Sequence, residues 1–472
     1  MCQQIQRIFE LQKENANDFA RLNAKERIEL LERIENYLKD DQKLTGLYDA
    51  MYKDFRKPEQ EVFVTEIGIV QAQIDFVKKH LSKWMKPQKV STPLPLIGTK
   101  SYICYEPKGM VLIISPWNYP FNLSLVPLVY ALAAGNTAII KPSEISSHTS
   151  TYINHMISEL FNENEVAVFE GDSSVAQVLL DQPFNHIFFT GSKKVGKIVS
   201  QKSTKHLASV TLELGGKSPA IIDESIDIQK TAQHVAWSKC VNSGQTCITP
   251  DYLILHESIK DMFVEDFKDA LKTFYGSCDI NIQQSPDYCR IINDWHFQRL
   301  KSLYDDALNK GARVLIGGYF NESNRFVSPT LLDGISEDMD IMQEEIFGPL
   351  LPVLTYSNKS EALEIIHKRP KPLTIYISSQ YRKNIDYFLE ETSAGGTVIN
   401  DYMLGYSNPH LPFGGVNSSG TGKSLGFHGF VEFSNQRSII KRNWGTINAI
   451  FPPYNDRTLK LMKTLYKLYR WS

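Results

Sequence analysis

A cysteine in a polar, glycine-containing segment is the residue best suited to nucleophilic chemistry. Cys247 ends the run Asn242-Ser243-Gly244-Gln245-Thr246-Cys247, and small polar residues with a glycine are typical of a turn that presents a side chain. Backbone N–H groups at such a turn would lower the pKa of the thiol and stabilise a developing oxyanion. We therefore predict a catalytic thiol at Cys247, with a small buried hydrophobe as the alternative.

The remaining cysteines have no comparable surroundings, and we expect all of them to pack: Cys2, Cys104, Cys240, Cys278 and Cys289. Six cysteines in 472 residues are too few for a disulfide scaffold, and none of their spacings matches a zinc site. We predict no metal. Free thiols favour a reducing compartment, so we expect a cytoplasmic protein.

A carboxylate stands where a predicted strand ends. Glu213 follows the apolar run Ser209–Leu212 and precedes the Gly215-Gly216 break. Open α/β sheets bind ligands at the carboxyl ends of their strands, so Glu213 is a candidate general base. The alternative is a solvated acid at a strand end.

Two segments look like phosphate loops. The stretch from Gly191 to Gly196 follows a short strand and opens a helix, which makes a serviceable anion site without the full dinucleotide fingerprint. The second, Gly420–Ser424, ends like a nucleotide-triphosphate loop, but Asn417 stands where that pattern needs glycine. We do not favour a triphosphatase.

The elements that must position these residues are strands and helices in alternation. Residues 109–140 carry no charge and are long enough to cross a bilayer, but three prolines and a Gly-Asn turn interrupt them. We interpret them as strand Met110–Ser115, helix Leu123–Ala134 and strand Thr137–Lys141, which form a βαβ unit buried on both faces.

Two such alternating series predict an α/β fold of two doubly wound domains with a small β bridging or oligomerisation element. The predicted parts are a dinucleotide-binding domain (1–85 and 104–212), a catalytic domain (213–400), the bridging element (86–103 and 401–440) and a C-terminal tail (441–472). Asp456–Ser472 is amphipathic and basic, which favours a docked surface helix over peripheral membrane contact.

Composition and charge exclude other classes of protein. Hydrophobic residues make up 42% and charged residues 22%, which is ordinary for a globular chain and excludes disorder. The formal net charge of −2 provides no field that would gather nucleic acid, so we predict no nucleic-acid partner.

Seven motifs occur together in an order that resembles the aldehyde dehydrogenase superfamily, over about residues 10 to 440. They are Pro116-Trp117-Asn118-Tyr119-Pro120, Lys141-Pro142-Ser143-Glu144, Phe189-Thr190-Gly191-Ser192, Glu213-Leu214-Gly215-Gly216-Lys217, Asn242 to Cys247, Glu344-Glu345-Ile346-Phe347-Gly348-Pro349 and Pro412-Phe413-Gly414-Gly415-Val416. The short N-terminus and Phe451-Pro452-Pro453-Tyr454 are most similar to the class 3 and fatty-aldehyde branch.

The resemblance implies NAD(P)-dependent oxidation of an aldehyde to the carboxylic acid. Cys247 would attack the aldehyde carbon to give a thiohemiacetal and then a thioester. The side-chain amide of Asn118 and the N–H of Cys247 would hold the oxyanion, and Glu213, its pKa raised in the cleft, would activate water. Apolar surroundings at Leu123 and Ile248 favour a medium- or long-chain aliphatic or an aromatic substrate.

The same resemblance implies NAD as cofactor, because Glu144 would repel the 2′-phosphate of NADP. NADP is the alternative, since members of the class 3 branch often accept it as well. Lys141 and Glu144 would bind the adenosine ribose and Glu345 the nicotinamide ribose. The other residues implied around the cofactor are Trp117, Gly191, Ser192, Val195, Gly196, Leu214 and Phe347. A homodimer is expected, and a CoA-acylating relative and a non-catalytic binding protein are the alternatives.

Two positions depart from the family pattern. Asn417 replaces a usual glycine, and asparagine tolerates positive φ. Ser424-Leu425-Gly426 stands where the class 3 branch often has Tyr-His-Gly. This second departure leaves the substrate subclass open.

Overall fold

The structure, a computed structural model, describes residues 2–446, 448 and 451–470. Its N-terminal part is helical, and polar caps fix where helices begin. Asn23 accepts backbone N–H hydrogen bonds at the start of the second helix, and the Glu26 side chain accepts one from the Asn23 backbone. The elements are α1 Cys2–Ala20, α2 Ala24–Tyr37, α3 Asp41–Phe55, α4 Glu59–Val62, α5 Gly68–Trp84, β1 Gln88–Val90 and β2 Thr99–Pro107.

Strands and helices then alternate, as the apolar runs predict. The elements are β3 Met110–Ile114, α6 Asn122–Ala134, β4 Thr137–Lys141, α7 Ser147–Leu160, β5 Val166–Val168, α8 Ser173–Leu180, β6 His186–Gly191, α9 Lys193–Ser203 and β7 Ser209–Leu214. The five strands are parallel in the order β7-β6-β3-β4-β5, so their carboxyl ends share one edge.

This first sheet is buried on both faces. Val111 and Ile113 of β3 pack in a core with α2, α5 and α6, whereas Leu112 and Ile114 pack in a second core with α1, α8 and α9. The period-two alternation of β3 therefore divides one apolar run between two cores. The uncharged segment predicted as a βαβ unit is the centre of this sheet. Among residues 2–446, 448 and 451–470, none of the helices combines the length and apolar composition that crossing a bilayer requires.

A second alternating series follows. Its elements are β8 Pro219–Ile222, α10 Ile228–Cys240, β9 Tyr252–His256, α11 Lys260–Phe274, α12 Asp279–Gln284, α13 Asp294–Asn309, β10 Arg313–Ile316, β11 Phe320–Asn321, β12 Phe326–Val327, β13 Thr330–Asp333, α14 Asp340–Gln343, β14 Leu350–Tyr356, α15 Lys359–His367, β15 Thr374–Ser378, α16 Arg382–Glu391 and β16 Gly396–Ile399. The sheet order is β10-β13-β14-β9-β8-β15-β16, parallel except for β10. Ile221 faces one core and Ala220 and Ile222 face another. The predicted fold class of two doubly wound α/β domains is confirmed.

The C-terminal elements return to the first sheet and complete a separate three-stranded sheet with β1 and β2. They are β17 Gly420–Thr421, α17 Gly426–Glu432, β18 Ser434–Arg442 and α18 Asp456–Tyr469. β17 pairs antiparallel with β7, and β18 pairs antiparallel with β2, which β1 also joins. β2 runs past residue 103 and β18 past residue 440, so both strands cross predicted boundaries; the division into domains stays a prediction. The end of the predicted helix Asp456–Ser472, at residues 471 and 472, lies outside the described residues.

Candidate active site

A cavity of about 800 Å³ brings most of the predicted site residues together. Its walls include Trp117, Asn118, Gly191, Ser192, Glu213, Leu214, Cys247, Glu345 and Phe347. Lys141, Glu144, Val195 and Gly196 lie outside that lining, on β4, the turn after it and the first turns of α9. The predicted nucleophile, base and oxyanion amide, which are up to 129 positions apart in the sequence, therefore face one space.

The turn before Cys247 has an unusual backbone. After α10, Asn242 and Ser243 have φ of 52° and 51°, in the left-handed region that costs energy for residues with a Cβ. The Asn242 side chain offsets part of this cost by donating hydrogen bonds to the carbonyls of Asn118 (2.9 Å) and Gln245 (3.2 Å). The turn that presents Cys247 is thus fixed against the loop that carries Asn118.

A buried glutamine ties the same turn to a third segment. The Gln245 side-chain amide donates to the carbonyls of Asn242 (2.9 Å) and Arg290 (3.1 Å), and its Oε1 accepts from the N–H of Ile292 (3.0 Å). Gln245 is 1% exposed, so each of these hydrogen bonds forms away from solvent. The backbone on the N-terminal side of Cys247 is therefore rigidly held.

Asn118 retains a donor for the cavity. Its Nδ2 donates to the carbonyl of Gln245 at 3.0 Å, and an amide NH₂ carries two hydrogens, so the second remains for a ligand. The neighbouring Tyr119 hydroxyl lies 2.7 Å from Thr246 Oγ1. Both contacts join the loop after β3 to the residues just before Cys247, which suits the predicted oxyanion role.

A charged pair lies behind this loop, and the sequence did not indicate it. Lys57 and Glu66 form a fully buried ion pair at 2.8 Å, and the Lys57 Nζ stands 4.1 Å from the centroid of the Tyr119 ring. Glu66 also accepts from the backbone N–H of Asn122 at 2.8 Å. No local motif marks these residues, because the turn after α3 that carries Lys57 and the helical turn Phe63–Ile67 that carries Glu66 contact the site only after folding.

The expectation of a lowered thiol pKa at Cys247 is wrong. The pKa of the Cys247 thiol is raised to about 12, mainly by burial and to a smaller extent by the carboxyls of Glu345 and Glu213. The backbone N–H groups of Cys247 and Ile248 lower it, as the turn predicted, but desolvation outweighs them. The thiol therefore needs a proton acceptor nearby.

The expectation that the other five cysteines pack is wrong for some of them. Cys240 and Cys289 are buried, but Cys2 and Cys278 are exposed and Cys104 is half-buried. Cys2 lies at the start of α1 and Cys278 caps the short helix α12, where no core reaches them.

Glu213 lies at the end of β7, as predicted, and is 7% exposed. Burial raises the pKa of its carboxyl to about 8, which agrees with the upward shift expected in the cleft, while Ser424 and Lys423 lower that pKa. Oε1 accepts a hydrogen bond from the Ser424 hydroxyl at 3.2 Å. Oε2 is buried and has no hydrogen-bond partner among the described residues. A carboxyl with this pKa can accept a proton near neutral pH.

The segment that resembles a triphosphate loop has another role in the fold. Gly420–Thr421 pairs with β7 as a strand, and Lys423 Nζ donates to the carbonyls of Gly414 (2.5 Å) and Gly415 (3.2 Å). Asn417 has the positive φ, 52°, that the family's glycine would permit. The lysine that a phosphate would require thus binds backbone instead.

The other glycine-containing loop has the features of an anion site. Ser192 caps α9 by accepting the N–H of Val195 at 3.4 Å, and Gly196 packs directly on Leu214. The first N–H groups of α9 lie next to Gly191 and Ser192 at the cavity wall. This arrangement fits a pyrophosphate.

Two carboxylates could take ribose hydroxyls. Glu144 pairs with Lys141 at 2.7 Å near the end of β4. Glu345 is half-buried against Gly215, where a Cβ would overlap its carboxylate, and desolvation raises the pKa of that carboxyl to about 8. Position 215 therefore requires glycine, because the carboxylate of Glu345 lies where a side chain would begin. Together with the anion site, these acceptors fit a dinucleotide.

A buried pair positions the Glu345 segment, and the sequence did not single it out for this role. Lys217 pairs with Asp251 and donates to the carbonyls of Ile341 (2.8 Å) and Glu344 (3.0 Å). Asp251 accepts the N–H of Ile346 at 2.9 Å. The ring of Phe347 then lies 5.3 Å from that of Trp117, edge to face, inside the cavity.

Known proteins are similar to this chain in sequence and in architecture. The family model described as "Aldehyde dehydrogenase family" matches residues 2–439. A 4,4'-diaponeurosporen-aldehyde dehydrogenase of Staphylococcus aureus is 45% identical over 90% of this chain and 91% of its own length. A mouse (Mus musculus) "Aldehyde dehydrogenase, dimeric NADP-preferring" is 40% identical over 90% of this chain and 93% of its own.

Solved structures agree. The substrate-bound state of Staphylococcus aureus AldH superposes with a TM-score of 0.93 at 42% identity, covering 98% of this chain and 99% of that one. The family model and the relatives cover almost the whole of the chain, including both α/β domains and the segments that carry the predicted site. The chain therefore belongs to the aldehyde dehydrogenase family, and it is an NAD(P)-dependent aldehyde dehydrogenase.

Proposed function

We propose that this chain oxidises apolar medium- or long-chain aliphatic or aromatic aldehydes to carboxylic acids through a thiohemiacetal and a thioester on Cys247. NAD is the proposed cofactor and NADP the alternative. The observation that carries the proposal is the shared cavity, which Cys247, Asn118 and Glu213 all line and whose walls are largely apolar. A free aldehyde entering this space meets a thiol, an amide donor and a buried carboxyl.

The side chains divide the work between two stages. In the first stage the thiol gives up its proton, for which Glu213 is the available acceptor, and the sulfur bonds to the aldehyde carbon. The free N–H of Asn118 and the backbone N–H of Cys247 donate to the resulting oxyanion, and a neutral amide stabilises that charge without protonating it. The bound nicotinamide supplies the hydride acceptor.

Between the stages Glu213 releases the thiol proton to solvent. In the second stage its carboxylate takes a proton from water, the water oxygen bonds to the thioester carbonyl carbon, and the carbon–sulfur bond breaks with its electron pair on sulfur. The carboxylic acid leaves, and Glu213 returns its proton to the thiolate of Cys247. Its unpartnered Oε2 and its pKa of about 8 suit Glu213 to this role, because an acceptor that titrates near neutral pH can both take and release a proton.

The cofactor has binding groups on two sides of the cavity. The N–H groups at the start of α9, with Gly191 and Ser192, would hold the pyrophosphate, and Gly196 and Val195 would support that turn. Lys141 and Glu144 would bind the adenosine ribose, and Glu345 the nicotinamide ribose. Trp117, Leu214 and Phe347 would pack beside the rings.

Apolar walls support the proposed substrate class. The cavity that Cys247 lines is also lined by Leu123, Val126, Ile248, Met403 and Phe413. At about 25 cal/mol for each Å² of apolar surface buried, each added methylene of a substrate would gain about 0.8 kcal/mol while the wall continues. Longer aldehydes should therefore bind more tightly.

A panel of straight-chain aldehydes from acetaldehyde to dodecanal, with benzaldehyde, tests this proposal through NADH absorbance without added CoA. We expect KM to fall with chain length and the Cys247→Ser variant to form no NADH with any member. Turnover by Cys247→Ser would contradict the nucleophile, and a KM that rises with length would contradict the substrate class.

We also propose a cytoplasmic homodimer. Free thiols support the reducing compartment, and the edge of the β1-β2-β18 sheet supports pairing between subunits. Sedimentation at micromolar concentration should give twice the mass of the chain, and a monomer there would contradict the dimer.

A further inference from the structure

The carboxyl of Glu213 is surrounded by a part of the chain that lies some 200 positions later. β17 covers its strand, with Gly420 opposite Glu213 in the antiparallel register. Next to β17, Phe413 and Ser424 exchange backbone hydrogen bonds, at 3.0 Å from the N–H of Phe413 and 2.6 Å from the N–H of Ser424. Two short antiparallel pairings therefore fix Ser424 beside Glu213.

Lys423 strengthens this arrangement from the other side. Its Nζ donates to the carbonyls of Gly414 and Gly415, which closes the loop that Phe413 begins. Gly414 leaves the room that the carboxylate needs, since a Cβ there would stand 3.0 Å from Glu213 Oε1. The Ser424 side chain is 7% exposed and cannot turn freely to water. Its hydroxyl is thus built into the wall around Glu213.

The hydroxyl of Ser424 has two acceptors within reach. One is Glu213 Oε1 at 3.2 Å and the other is the carbonyl of Phe413 at 3.4 Å. A hydroxyl has one proton to donate, and a charged carboxylate is the stronger acceptor. The hydroxyl can therefore donate to Glu213 when that carboxyl is ionised, and to the Phe413 carbonyl when it is neutral.

We propose that Ser424 is the positioning residue of the general base. It holds Oε1 of Glu213 by a hydrogen bond, stabilises the ionised carboxylate and leaves Oε2 free to accept the proton of the hydrolytic water. The proposal rests on the function proposed above for Glu213. It also assigns a role to the segment Ser424-Leu425-Gly426, where the sequence departs from the pattern of the class 3 branch.

Other charged and titratable groups also face Glu213, and their effects on its carboxyl must be distinguished from the effect of Ser424. Lys423 favours the ionised carboxyl and Glu432 opposes it. Glu432 is itself held by the hydroxyl of Thr211 at 2.6 Å and by the N–H of Lys423 at 3.4 Å. Tyr406, from the turn Leu404–Tyr406, and Cys247 complete the set. Among the described residues, Ser424 is the side chain that donates a hydrogen bond to Glu213.

The hydrolytic step defines what the hydroxyl does. Water loses a proton to Oε2, its oxygen bonds to the thioester carbon, and the carbon–sulfur bond breaks with its electron pair on sulfur. Ser424 neither gains nor loses a proton in this sequence. Its hydrogen bond lowers the pH at which Glu213 becomes a base and fixes the direction in which Oε2 points.

The test compares Ser424→Ala with Ser424→Thr and with a control serine in the same loop, Ser419→Ala. Ser419 is fully buried and binds the carbonyl of Pro372 (3.1 Å) and the N–H of Val416 (2.9 Å), away from Glu213. The measurement is the rate constant of acyl-enzyme hydrolysis by single-turnover quench flow from pH 6 to 10, with the acyl-enzyme quantified by intact mass.

Ser424→Ala removes one hydrogen bond to a charged carboxylate. We therefore expect the rising limb of its profile of hydrolysis rate against pH to shift to higher pH by roughly one unit. Hydrolysis at pH 7 should fall about tenfold, while acyl-enzyme formation still labels one thiol per chain. Ser424→Thr retains the hydroxyl, so the rising limb should lie at the wild-type pH. In Ser419→Ala the limb should also lie at the wild-type pH.

Two results would overturn the proposal. If the rising limb of the pH profile does not move in Ser424→Ala, the hydrogen bond from Ser424 has no part in hydrolysis. If the limb moves equally in Ser419→Ala, the shift reflects only a loosened loop. Glu213→Gln separates this failure from that of the proposed function. If Glu213→Gln hydrolyses its acyl-enzyme at the wild-type rate, Glu213 is not the base; if it stalls while Ser424→Ala is unshifted, only the positioning role is lost.

Discussion

The two sides of the active-site cavity are supported in different ways. The turn that carries Cys247 is fixed by buried hydrogen bonds from Asn242 and Gln245 and by the contact of Asn118 with the Gln245 carbonyl. The carboxyl of Glu213 has one side-chain donor among the described residues, Ser424, and its Oε2 has no partner there. We infer that this difference reflects the roles proposed for the two groups.

A nucleophile must be in one place when the aldehyde arrives, because a misplacement of 1 Å can cost about 100-fold in rate. A general base must exchange protons with water, so complete satisfaction of both oxygens would lower its pKa and its usefulness. We therefore expect substitutions on the thiol side to reveal how firmly the turn before Cys247 is held. Substitutions on the carboxyl side should reveal how freely Glu213 exchanges protons.

The largest expected effect is on the rigid side. Asn118→Ala removes an oxyanion donor and should lower kcat by about 10²- to 10³-fold, since loss of one such donor has effects of that size. Steady-state NADH formation measures the change. Binding of NAD, followed by tryptophan fluorescence, is the control and should be unaltered; a loss below tenfold would show that the backbone N–H of Cys247 suffices.

Next in size is the effect of Gln245→Ala. This change leaves the carbonyls of Asn242 and Arg290 and the N–H of Ile292 without their buried partner, and should lower the free energy of unfolding by about 3 kcal/mol. Urea unfolding measures it. The matched control is the exposed Gln298, where Ala should cost below about 0.5 kcal/mol. Equal losses of unfolding free energy in the two variants would show that the hydrogen bonds of Gln245 do not stabilise the turn.

On the carboxyl side, Glu213→Gln should change how stability depends on pH. The pKa of Glu213 is about 8 in the folded chain against an ordinary 4.5, so the folded chain retains a proton that the unfolded chain loses between these values. Wild-type stability should therefore fall with rising pH relative to the variant, by about 2 kcal/mol between pH 5 and 7. Urea midpoints at both values measure this, and a constant difference would contradict the raised pKa.

The smallest effect concerns the space around the base. Gly414→Ala places a Cβ 3.0 Å from Glu213 Oε1 and 2.7 Å from the carbonyl of Gly422, at a φ of 146°. Displacement of the carboxyl should slow acyl-enzyme hydrolysis about tenfold. Gly396→Ala is the control, because its Cβ would meet no atom within 4 Å among the described residues. Equal rates in the two variants would show that the base tolerates crowding.

Much of this could be predicted from the sequence because it depends on local patterns. The apolar run from residue 110 to 140 is divided by turn residues into strand, helix and strand, and the structure places these within two residues of the predicted bounds. Cys247 and Glu213 were identifiable because a turn and a strand end mark them. The sequence could not show which groups surround them.

The thiol pKa is the clearest example of that limit. The N–H groups beside Cys247 are a local feature, and they act in the predicted direction, but burial and two distant carboxyls determine the outcome. Likewise, the pair of Lys57 with Glu66 is formed by residues nine positions apart, yet its contact with Tyr119 depends on how α3 and the turn before α5 pack against the loop after β3. Neither contact has a sequence signal.

By itself, then, the sequence determined the alternation of strands and helices, the family, and the three residues proposed to act on the substrate, which line one cavity. Periodicity, turn chemistry and motif order are carried by neighbouring residues, so they can be recognised along the chain. Only the tertiary structure decided that Ser424 donates to Glu213 across 211 positions, that Lys217 and Asp251 hold the Glu345 segment, and that burial raises the pKa of the Cys247 thiol. Desolvation and long-range hydrogen bonds exist only once distant segments exclude water together.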